Sequence, residues 1–520
     1  MNYLNTGAAY TLFSKALKSG IYVDKSMLID RISAKIGTND QYICITRPRR
    51  FGKSMNVHMM GAYYTKGKDC SDLFAGLMVT ETENYEKHRN KHNVVYIDFS
   101  RMPDHCGGYT EYMAAVLAGL RGDLQEAYPV LGDKDYFSVS QMFMDSGDSF
   151  IFLLDEWDSV FYKDFMRQED RDAYLGFLKN LLKDQPYAEL VYMTGVLPIA
   201  KYSSSSELNM FREYNFMNDH TYDVYFGMLE EEVRELCGKH GTISYGELAY
   251  WYDGYYLSDG RHLFNPRSVN AALTDGICLN YWTETGPMNE IADCIEHNTD
   301  AVREDIVRMV AGIPVEAELQ GYGATDLRLD GRDEILSAMV VYGFLSYYDG
   351  YLRIPNHELM EKYQRVMARE SMGGVQEIVL RSKEMLEATR SGNAEKVAEI
   401  LEEVYDREIP FLQYNDENSL SCVITLCYLS ARNSYDVERE AKSGKGYCDY
   451  MFLPKKRGIP AIILELKSGD SCENALAQIK EKGYVQKAWE YADEALLVGI
   501  GYDKGKKRHG CVIERQGKLE

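Results

Sequence analysis

The sequence predicts an α/β protein with an N-terminal parallel-sheet domain, a helical and winged middle region, and a C-terminal α/β domain. The first observation is a series of short apolar runs rich in β-branched and aromatic residues, which are typical of buried strands. The second is that stretches with helical spacing of apolar residues, such as 54–64 and 109–127, separate these runs. The predicted strands are "YICIT" (42–46), "NVVYIDFS" (93–100), "SFIFLLDEWD" (149–158) and "AELVYMTGV" (188–196). Strands that alternate with helices indicate a parallel sheet buried on both faces.

The pattern changes after about residue 220. Segments such as "MLEEEVRELCGKHG" (228–241) predict amphipathic helices, and short strands are predicted around the Tyr-Asp-Gly turn of "SAMVVYGFLSYYDGYLRIPN" (337–356). Strands and helices alternate again in the last hundred or so residues. We therefore expect three domains, at 1–220, 221–410 and 411–520.

Composition narrows the functional classes. The 520 residues include 58 Lys and Arg against 80 Asp and Glu, a net charge of −22, which opposes non-specific coating of nucleic acid but permits a local basic groove or a metal-assisted site. No apolar run reaches the ~18 residues that cross a bilayer, and the polar N-terminus does not resemble a signal peptide, so a cytoplasmic protein is expected. The eleven cysteines include no C-x-x-C pair and are expected to be reduced.

A phosphate-binding loop is predicted in "ITRPRRFGKSMN" (45–56), which contains Gly52, Lys53 and Ser54. In such a loop, backbone N–H groups surround a phosphate at a helix N-terminus, the lysine neutralises phosphate charge, and the hydroxyl binds Mg²⁺. The preceding strand and the following helix that the motif needs are both predicted.

The same loop departs from the usual pattern, because Arg47 stands where a glycine is expected. We expect Arg47, Arg49 and Arg50 to add positive charge beside the phosphates. The alternative is a basic turn without a ligand.

A second motif favours the nucleotide site. The apolar strand "FIFLLDEWD" ends in Asp155 and Glu156, as a Walker B strand does, with one carboxylate for the Mg²⁺ shell and another to polarise the attacking water. Thr194 in "VYMTGV" is placed at the end of a strand, where it can act as a polar sensor. The alternative is a buried strand capped by acids.

The C-terminal region contains a predicted hairpin with polar side chains inside it. "YCDYMFLP" and "AIILELK" predict two strands, and a hairpin centred on Arg457 places Asp449 opposite Glu465. Alternation places Glu465 and Lys467 on one face. Two carboxylates and a lysine on an otherwise apolar sheet suit Mg²⁺: the acids hold the metal, and the lysine orients or deprotonates the attacking water. The alternative is a surface hairpin with alternating charges.

Together these motifs resemble a bacterial protein family in which an AAA-ATPase-like domain is coupled to a C-terminal PD-(D/E)XK nuclease domain. The resemblance is carried by "YVDKSMLIDRI" (22–32), "RPRRFGKSMN" (47–56), "VVYIDFS" (94–100), "FLLDEWDSVF" (152–161), "WYDGYYLSDGRHLFNPRSV" (251–269) and "GKGYCD…AIILELK…AQIKEKGY". Within "WYDGY…NPRS", Asp253-Gly254 suits a turn and Asn265-Pro266 a helix start, while Arg267 could approach a phosphate.

The resemblance implies further site residues in the C-terminal domain. Glu440, or less favourably Glu438, would complete the metal shell from a preceding helix. Gln478 matches a glutamine of the helix after the core, and Tyr484 ends that motif. Tyr447 stands where many relatives have arginine, which weakens the expected phosphate contact.

The resulting hypothesis is an ATPase that binds ATP and Mg²⁺, joined to a Mg²⁺-dependent nuclease. The nuclease would act on nucleic acid, with DNA favoured, in defence against foreign DNA. A homo-oligomer is allowed, and the locally basic tail "YDKGKKRHG" (502–510) is either a DNA contact or a solvated loop. Two alternatives stay open: a nucleotide-gated switch with a degenerate nuclease fold, and an active nuclease whose ATPase domain is only an assembly scaffold.

Overall fold

The structure is a computed structural model that describes residues 2–132, 134–199, 208–217, 219–282, 300–319, 331–369, 372–405, 417–503 and 508–518. The chain divides into two compact units. The first comprises Met1–Ile291, Ala317–Gly350 and Pro355–Glu358, and the second comprises Ala292–Glu316, Tyr351–Ile354 and Leu359–Glu520. The centre of the predicted basic tail, 504–507, lies outside the described residues.

The first unit is built on a five-stranded sheet in the order β2-β3-β4-β1-β5, and every neighbouring pair of strands is parallel. Its strands are β1 (Tyr42–Thr46), β2 (Asn93–Asp98), β3 (Phe150–Asp155), β4 (Ala188–Gly195) and β5 (Arg212–Tyr214). The predicted parallel sheet is therefore confirmed. A small antiparallel sheet, β6-β8-β7, belongs to the same unit and consists of Met228–Leu229 (β6), Tyr255–Tyr256 (β7) and His262–Phe264 (β8).

Helices cover both faces of the large sheet, because its strands are apolar on both sides. One hydrophobic core contains Val95, Phe152 and Val191, and the other contains Ile43, Ile151 and Tyr192. The helices of this unit are α1 (Ala8–Leu17), α2 (Met27–Ser33), α3 (Lys53–Tyr64), α4 (Ser71–Phe74), α5 (Tyr85–His88), α6 (Tyr109–Ala127), α7 (Val139–Asp145), α8 (Gln168–Leu182), α9 (Glu230–His240), α10 (Tyr245–Tyr252) and α11 (Pro266–Asp275). Later in the chain, the helix Arg332–Val341 and the first residues of the helix His357–Met367 also belong to it. The strand Ser346–Tyr348 also belongs to it.

The second unit contains a mixed five-stranded sheet whose strands follow chain order. They are β12 (Tyr435–Ser443), β13 (Gly446–Pro454), β14 (Ala461–Ser468), β15 (Glu494–Asp503) and β16 (Arg508–Gly517). Three short strands precede them in the chain: β9 (Val315–Glu316) and β11 (Tyr351–Arg353) of this unit, and β10 (Ser346–Tyr348) of the first unit. Only β14 and β15 pair in parallel among these five strands; the other three pairs are antiparallel.

The remaining helices are numbered in chain order after α11. They are α12 (Asp300–Val310), α13 (Arg332–Val341), α14 (His357–Met367), α15 (Gly374–Ser391), α16 (Ala394–Tyr405), α17 (Glu417–Cys427), α18 (Cys472–Lys482) and α19 (Val485–Ala488), with short 3-10 helices at Met78–Glu81, Pro129–Leu131, Ser159–Tyr162, Asp223–Tyr225 and Leu429–Asn433. Among the described residues, no helix has the length and apolarity needed to cross a membrane.

Candidate functional site

The phosphate-binding loop closes around its lysine. Gly52 has φ +90°, a left-handed conformation that residues with a β-carbon avoid, and α3 begins at the next residue. The helix therefore presents unpaired backbone N–H groups at the loop, with the positive end of its dipole. Lys53 is only 3% exposed, and its ammonium donates to the carbonyl oxygens of Arg47 (3.0 Å) and Pro48 (3.1 Å). The loop thus holds one buried cation at a helix N-terminus.

A cavity of about 440 Å³ opens beside this loop. It is lined by the predicted residues Arg50, Gly52, Lys53, Ser54 and Glu156. Its volume lies in the range of small-molecule sites. Apolar side chains, among them Ile21, Tyr22 and Met228, line it as well. A charged end and an apolar wall suit a ligand that has phosphates and a base.

Arg267 also lines this cavity. The predicted helix start is confirmed, because Asn265 is the N-cap of α11 and its side chain accepts from the backbone N–H of Arg267 at 2.9 Å. A phosphate contact by Arg267 stays a prediction.

The predicted acid pair lies at the end of β3. Asp155 is 2% exposed and accepts a hydrogen bond from the Thr194 hydroxyl at 2.5 Å, and the Ser54 side chain lies near it. Burial, reinforced by the charge of Glu156, raises the pKa of Asp155 to about 6. The Glu156 carboxylate lies 4.0 Å from the Lys53 ammonium. A hydroxyl and carboxylate oxygens gathered in this way are the ligand type that Mg²⁺ prefers.

Arg47 does not have the role expected from the sequence. Its side chain is 2% exposed, forms an ion pair with Asp219, and donates to the Tyr214 carbonyl at 2.9 Å. Its charge is therefore neutralised away from the loop, and the expectation that it adds charge beside the phosphates is wrong. The guanidinium of Arg49 lies over the Tyr162 ring, 5.6 Å from its centroid. A nucleotide contact by Arg49 stays a prediction.

Sequence reasoning assigned no role to Asp158, although the motif "DEWD" contains it. Asp158 is fully buried and accepts hydrogen bonds from the backbone N–H groups of Val196 (3.1 Å) and Leu197 (2.9 Å), just after β4. Burial, with the charge of Glu156, raises its pKa to about 6. Asp158 therefore fixes the segment after β4 close to the acid pair.

The second group of predicted residues meets on the sheet of the second unit. The β13–β14 register pairs Tyr450 with Leu464 and Phe452 with Ile462, which continues to Asp449 opposite Glu465. The backbone N–H of Asp449 contacts Glu465 Oε2 at 3.4 Å, and Asp449 Oδ2 accepts from the N–H of Leu466 at 2.7 Å. The register predicted from a hairpin centred on Arg457 is confirmed.

Glu465 is the centre of this group. It is 2% exposed, and burial, with the charge of Asp449, raises its pKa to about 7. The Lys467 ammonium lies 3.6 Å from Glu465 Oε1, and Gln478 donates to the same oxygen. Gln478 is also 3.5 Å from the Tyr484 hydroxyl. Asp449, Glu465, Lys467 and Gln478 are thus brought together.

The helix that supplies Gln478 lies unusually close to the sheet. A β-carbon on Gly499 would lie 2.2 Å from the Cys472 carbonyl oxygen, and one on Gly501 would lie 2.6 Å from that of Asp470. Glycines at these positions of β15 let the N-terminal end of α18 approach. In this position Gln478 reaches Glu465.

The upstream acid comes from a strand and not, as expected, from a helix. Glu440 lies within β12, between the pairs Arg439–Tyr450 and Ala441–Cys448, so its register position is opposite Asp449. Its backbone has φ +45°. Glu438 instead forms an ion pair with Lys487. Glu440, Asp449 and Glu465 therefore occupy one row across three strands.

Two carboxylates of this row, those of Asp449 and Glu465, are placed to act as metal ligands. Among the described residues, no three His, Cys, Asp or Glu side chains already converge on one point as a metal-binding group. The adjacent carboxylates of Asp449 and Glu465 fit a divalent cation, because a cation would compensate the two neighbouring acids.

Family models match the two segments that contain these residues. Residues 11–204 match the family model described as predicted AAA-ATPase, and residues 415–510 match the model of the PD-(D/E)XK nuclease superfamily. The chain therefore combines an AAA-ATPase-like domain with a domain of the PD-(D/E)XK nuclease superfamily, and the architecture expected from the resemblance is confirmed. No curated protein matches the chain in sequence.

Two solved structures resemble the chain only weakly. A Walker-type ATPase of Pyrococcus abyssi is 11% identical with a TM-score of 0.34, over 66% of this chain and 94% of that one. The ORC2 protein of Aeropyrum pernix, in ADPNP and ADP complexes, is 12% identical with a TM-score of 0.32, over 68% of this chain and 93% of that one. These likenesses are too weak to carry an argument about function.

Proposed function

We propose that this protein binds ATP with Mg²⁺ in its first unit and hydrolyses nucleic-acid phosphodiesters with Mg²⁺ in its second. The observation that carries the nuclease proposal is the buried Glu465 carboxylate, which lies against Asp449, Lys467 and Gln478. A buried acid beside a second acid destabilises the fold unless a ligand compensates the charge. A metal ion held by these acids is the compensation that fits a phosphodiesterase.

At the nuclease site, each side chain has a separate task. Asp449 and Glu465 would hold Mg²⁺, which lowers the pKa of a bound water. Lys467, 3.6 Å from Glu465, is close enough to orient or deprotonate that water. Gln478 fixes the Glu465 carboxylate, and Glu440 is the third acid of the row.

At the nucleotide site, Lys53 and the N-terminus of α3 would neutralise phosphate charge, assisted by Arg49 and Arg50. Ser54 and Asp155 would hold Mg²⁺, since the two side chains lie near one another. Glu156 would orient the attacking water, and Thr194 holds Asp155 in place from the neighbouring strand.

The finer parts of the proposal rest on the two family matches within one chain. Nucleotide binding is proposed to license cleavage, with the region 221–410 between the domains 1–220 and 411–520 transmitting its state. The proposal also includes DNA as the substrate, a homo-oligomer and a cytoplasmic location, and a role in defence against foreign DNA that is drawn from the resemblance to a bacterial family.

One experiment tests both sites. The purified full-length protein is incubated with labelled DNA and RNA and with Mg²⁺ or Mn²⁺, in the presence or absence of ATP. Lys467→Ala is expected to abolish metal-dependent cleavage, whereas the control Lys455→Ala, in the turn directly after β13 and paired with Asp436, is expected to retain it. Lys53→Ala is expected to abolish the response to ATP.

The possible results separate the alternatives. If the unmodified protein cleaves nothing with either metal while it still binds ATP, the nuclease is refuted and the nucleotide-gated switch is favoured. If Lys53→Ala prevents oligomerisation but leaves cleavage unchanged, the first unit is an assembly scaffold and the licensing step is refuted.

A further inference from the structure

The tip of the β12–β13 hairpin carries an exposed aromatic ring beside the proposed nuclease site. Tyr447 is 61% exposed and pairs with Lys442 across the hairpin. Continuing the β13–β14 register places it opposite Lys467. Because side chains alternate along a strand, Tyr447 lies on the same face as Asp449, two residues or about 7 Å along β13. The ring is therefore one row away from the acids.

This tip is fixed in place. Gly444 at the turn has φ +55°, and a β-carbon on it would lie 2.2 Å from the Lys482 carbonyl oxygen. The same carbonyl accepts from the N–H of Lys445 at 2.9 Å, and the Ser443 hydroxyl donates to the Tyr484 carbonyl at 2.6 Å. The hairpin tip is thus attached to the C-terminal end of α18, and Tyr447 projects from an anchored backbone.

The neighbours of the ring in its own row of the sheet are lysines, although the chain has a net charge of −22. Lys442 and Lys445 are both exposed on the same hairpin tip, and Lys467 is the next cation toward the site. An aromatic ring flanked by lysines has the composition of surfaces that bind single-stranded nucleic acid, where cations follow the backbone and rings stack on bases.

We propose that Tyr447 is a stacking platform for an unpaired base next to the phosphodiester that is cleaved, so that the preferred substrate is single-stranded nucleic acid. The proposal rests on the proposed nuclease function and names its substrate class. In a duplex, neighbouring base pairs cover both faces of each base, so the ring would find no free face to stack on. A single strand offers one at every nucleotide.

The competing role of Tyr447 is a phosphate contact through its phenol hydroxyl. Two substitutions distinguish this role from base stacking. Tyr447→Phe keeps the ring and removes the hydroxyl, whereas Tyr447→Ala removes both. Tyr491→Ala is the matched control, because Tyr491 is another exposed tyrosine (46%) of the same unit, outside the hairpin.

The test measures binding and cleavage separately. Binding of fluorescent poly-dT, and of the same strand annealed to poly-dA, is measured in full-length protein carrying Glu465→Gln, so that cleavage does not interfere. Tyr447→Ala is expected to weaken poly-dT binding by roughly 10- to 100-fold, with a much smaller loss on the duplex. Tyr447→Phe and Tyr491→Ala are expected to stay within about twofold of their parent. Cleavage of both probes is then measured with Glu465 intact.

The outcomes distinguish this proposal from the nuclease proposal. Equal losses on single strand and duplex, an unchanged affinity in Tyr447→Ala, or a loss in Tyr447→Phe as large as in Tyr447→Ala would overturn the stacking platform even if cleavage is observed. Selective loss of poly-dT binding in a protein that never cleaves would support the platform and refute the nuclease. A parent protein that binds neither probe would overturn the stacking platform, while cleavage of labelled DNA and RNA decides the nuclease proposal.

Discussion

The buried carboxylate of Glu358 is expected to make the stability of the protein depend on pH. Glu358 is fully buried in the first unit and accepts from the backbone N–H groups of Tyr281 and Trp282, both at 2.6 Å, and from the Ser268 hydroxyl at 2.8 Å. Arg50 of the phosphate-binding loop donates to the Trp282 carbonyl of the same segment at 2.6 Å. Burial raises the pKa of Glu358 from 4.5 to about 7 despite these hydrogen bonds.

The sign of the pH dependence follows from the proton count. With a pKa of about 7 folded and 4.5 unfolded, the folded chain binds more protons between these values, so its stability is highest below 4.5 and falls until the pH passes 7. The full difference amounts to about 3 kcal/mol. Between about pH 6 and pH 8 the loss is about 1 kcal/mol.

The substitution Glu358→Gln removes this titration while it keeps the shape. The glutamine carbonyl oxygen can accept from both backbone N–H groups, and its amide can donate to Ser268. The variant is therefore expected to gain stability relative to the parent as the pH rises, by about 1 kcal/mol between about pH 6 and pH 8.

The assay is urea unfolding of the full-length protein, followed by tryptophan fluorescence, since Trp282 is itself buried beside Glu358. The exposed control Glu235→Gln, which loses only a surface pair with Lys239, should show no pH-dependent difference. A Glu358→Gln variant that is less stable than the parent by the same amount at every pH would contradict this prediction, because it would show that the folded carboxylate is charged throughout.

Two further predictions concern Arg47, which replaces the expected loop glycine, and Gly499, where α18 lies close to the sheet. Arg47→Gly supplies the missing loop glycine but leaves Asp219 buried without its cation, so unfolding in urea should show a loss of about 3–5 kcal/mol; an unchanged midpoint would contradict the buried ion pair. Gly499→Ala should push α18 off the sheet and lower metal-dependent cleavage, whereas Gly517→Ala, with open space around its β-carbon, should not; full activity in Gly499→Ala would show that the position of Gln478 is unimportant.

Much of the fold could be predicted because its signals are local. The four apolar runs of the first sheet are buried on both faces, so they stand out without knowledge of their neighbours. The hairpin around Arg457 fixed the pairing of Asp449 with Glu465 because turn position and strand alternation together determine a register. The nucleotide loop was recognisable for the same reason, since its strand, loop and helix are consecutive.

Predictions were wrong where the role of a residue depends on a partner that is distant in sequence, or where the residue lies on a half-exposed strand. Nothing near Arg47 shows that its partner is Asp219, since only the folded chain brings the two together. Glu440 was expected on a helix because β12 is an edge strand of the sheet and "YDVEREAKS" is rich in charge, which hides the alternation that a half-buried strand shows. Its position opposite Asp449 depends on the neighbouring strand.

The two candidate sites share a physical feature that stability does not explain. Asp155 and Glu465 are each 2% exposed, each has a second acid beside it, and burial raises the pKa of one to about 6 and of the other to about 7. An apolar side chain of similar size would avoid the desolvation cost at either position. Because a bound cation would compensate both acid pairs, these side chains are better explained by ligand binding than by folding.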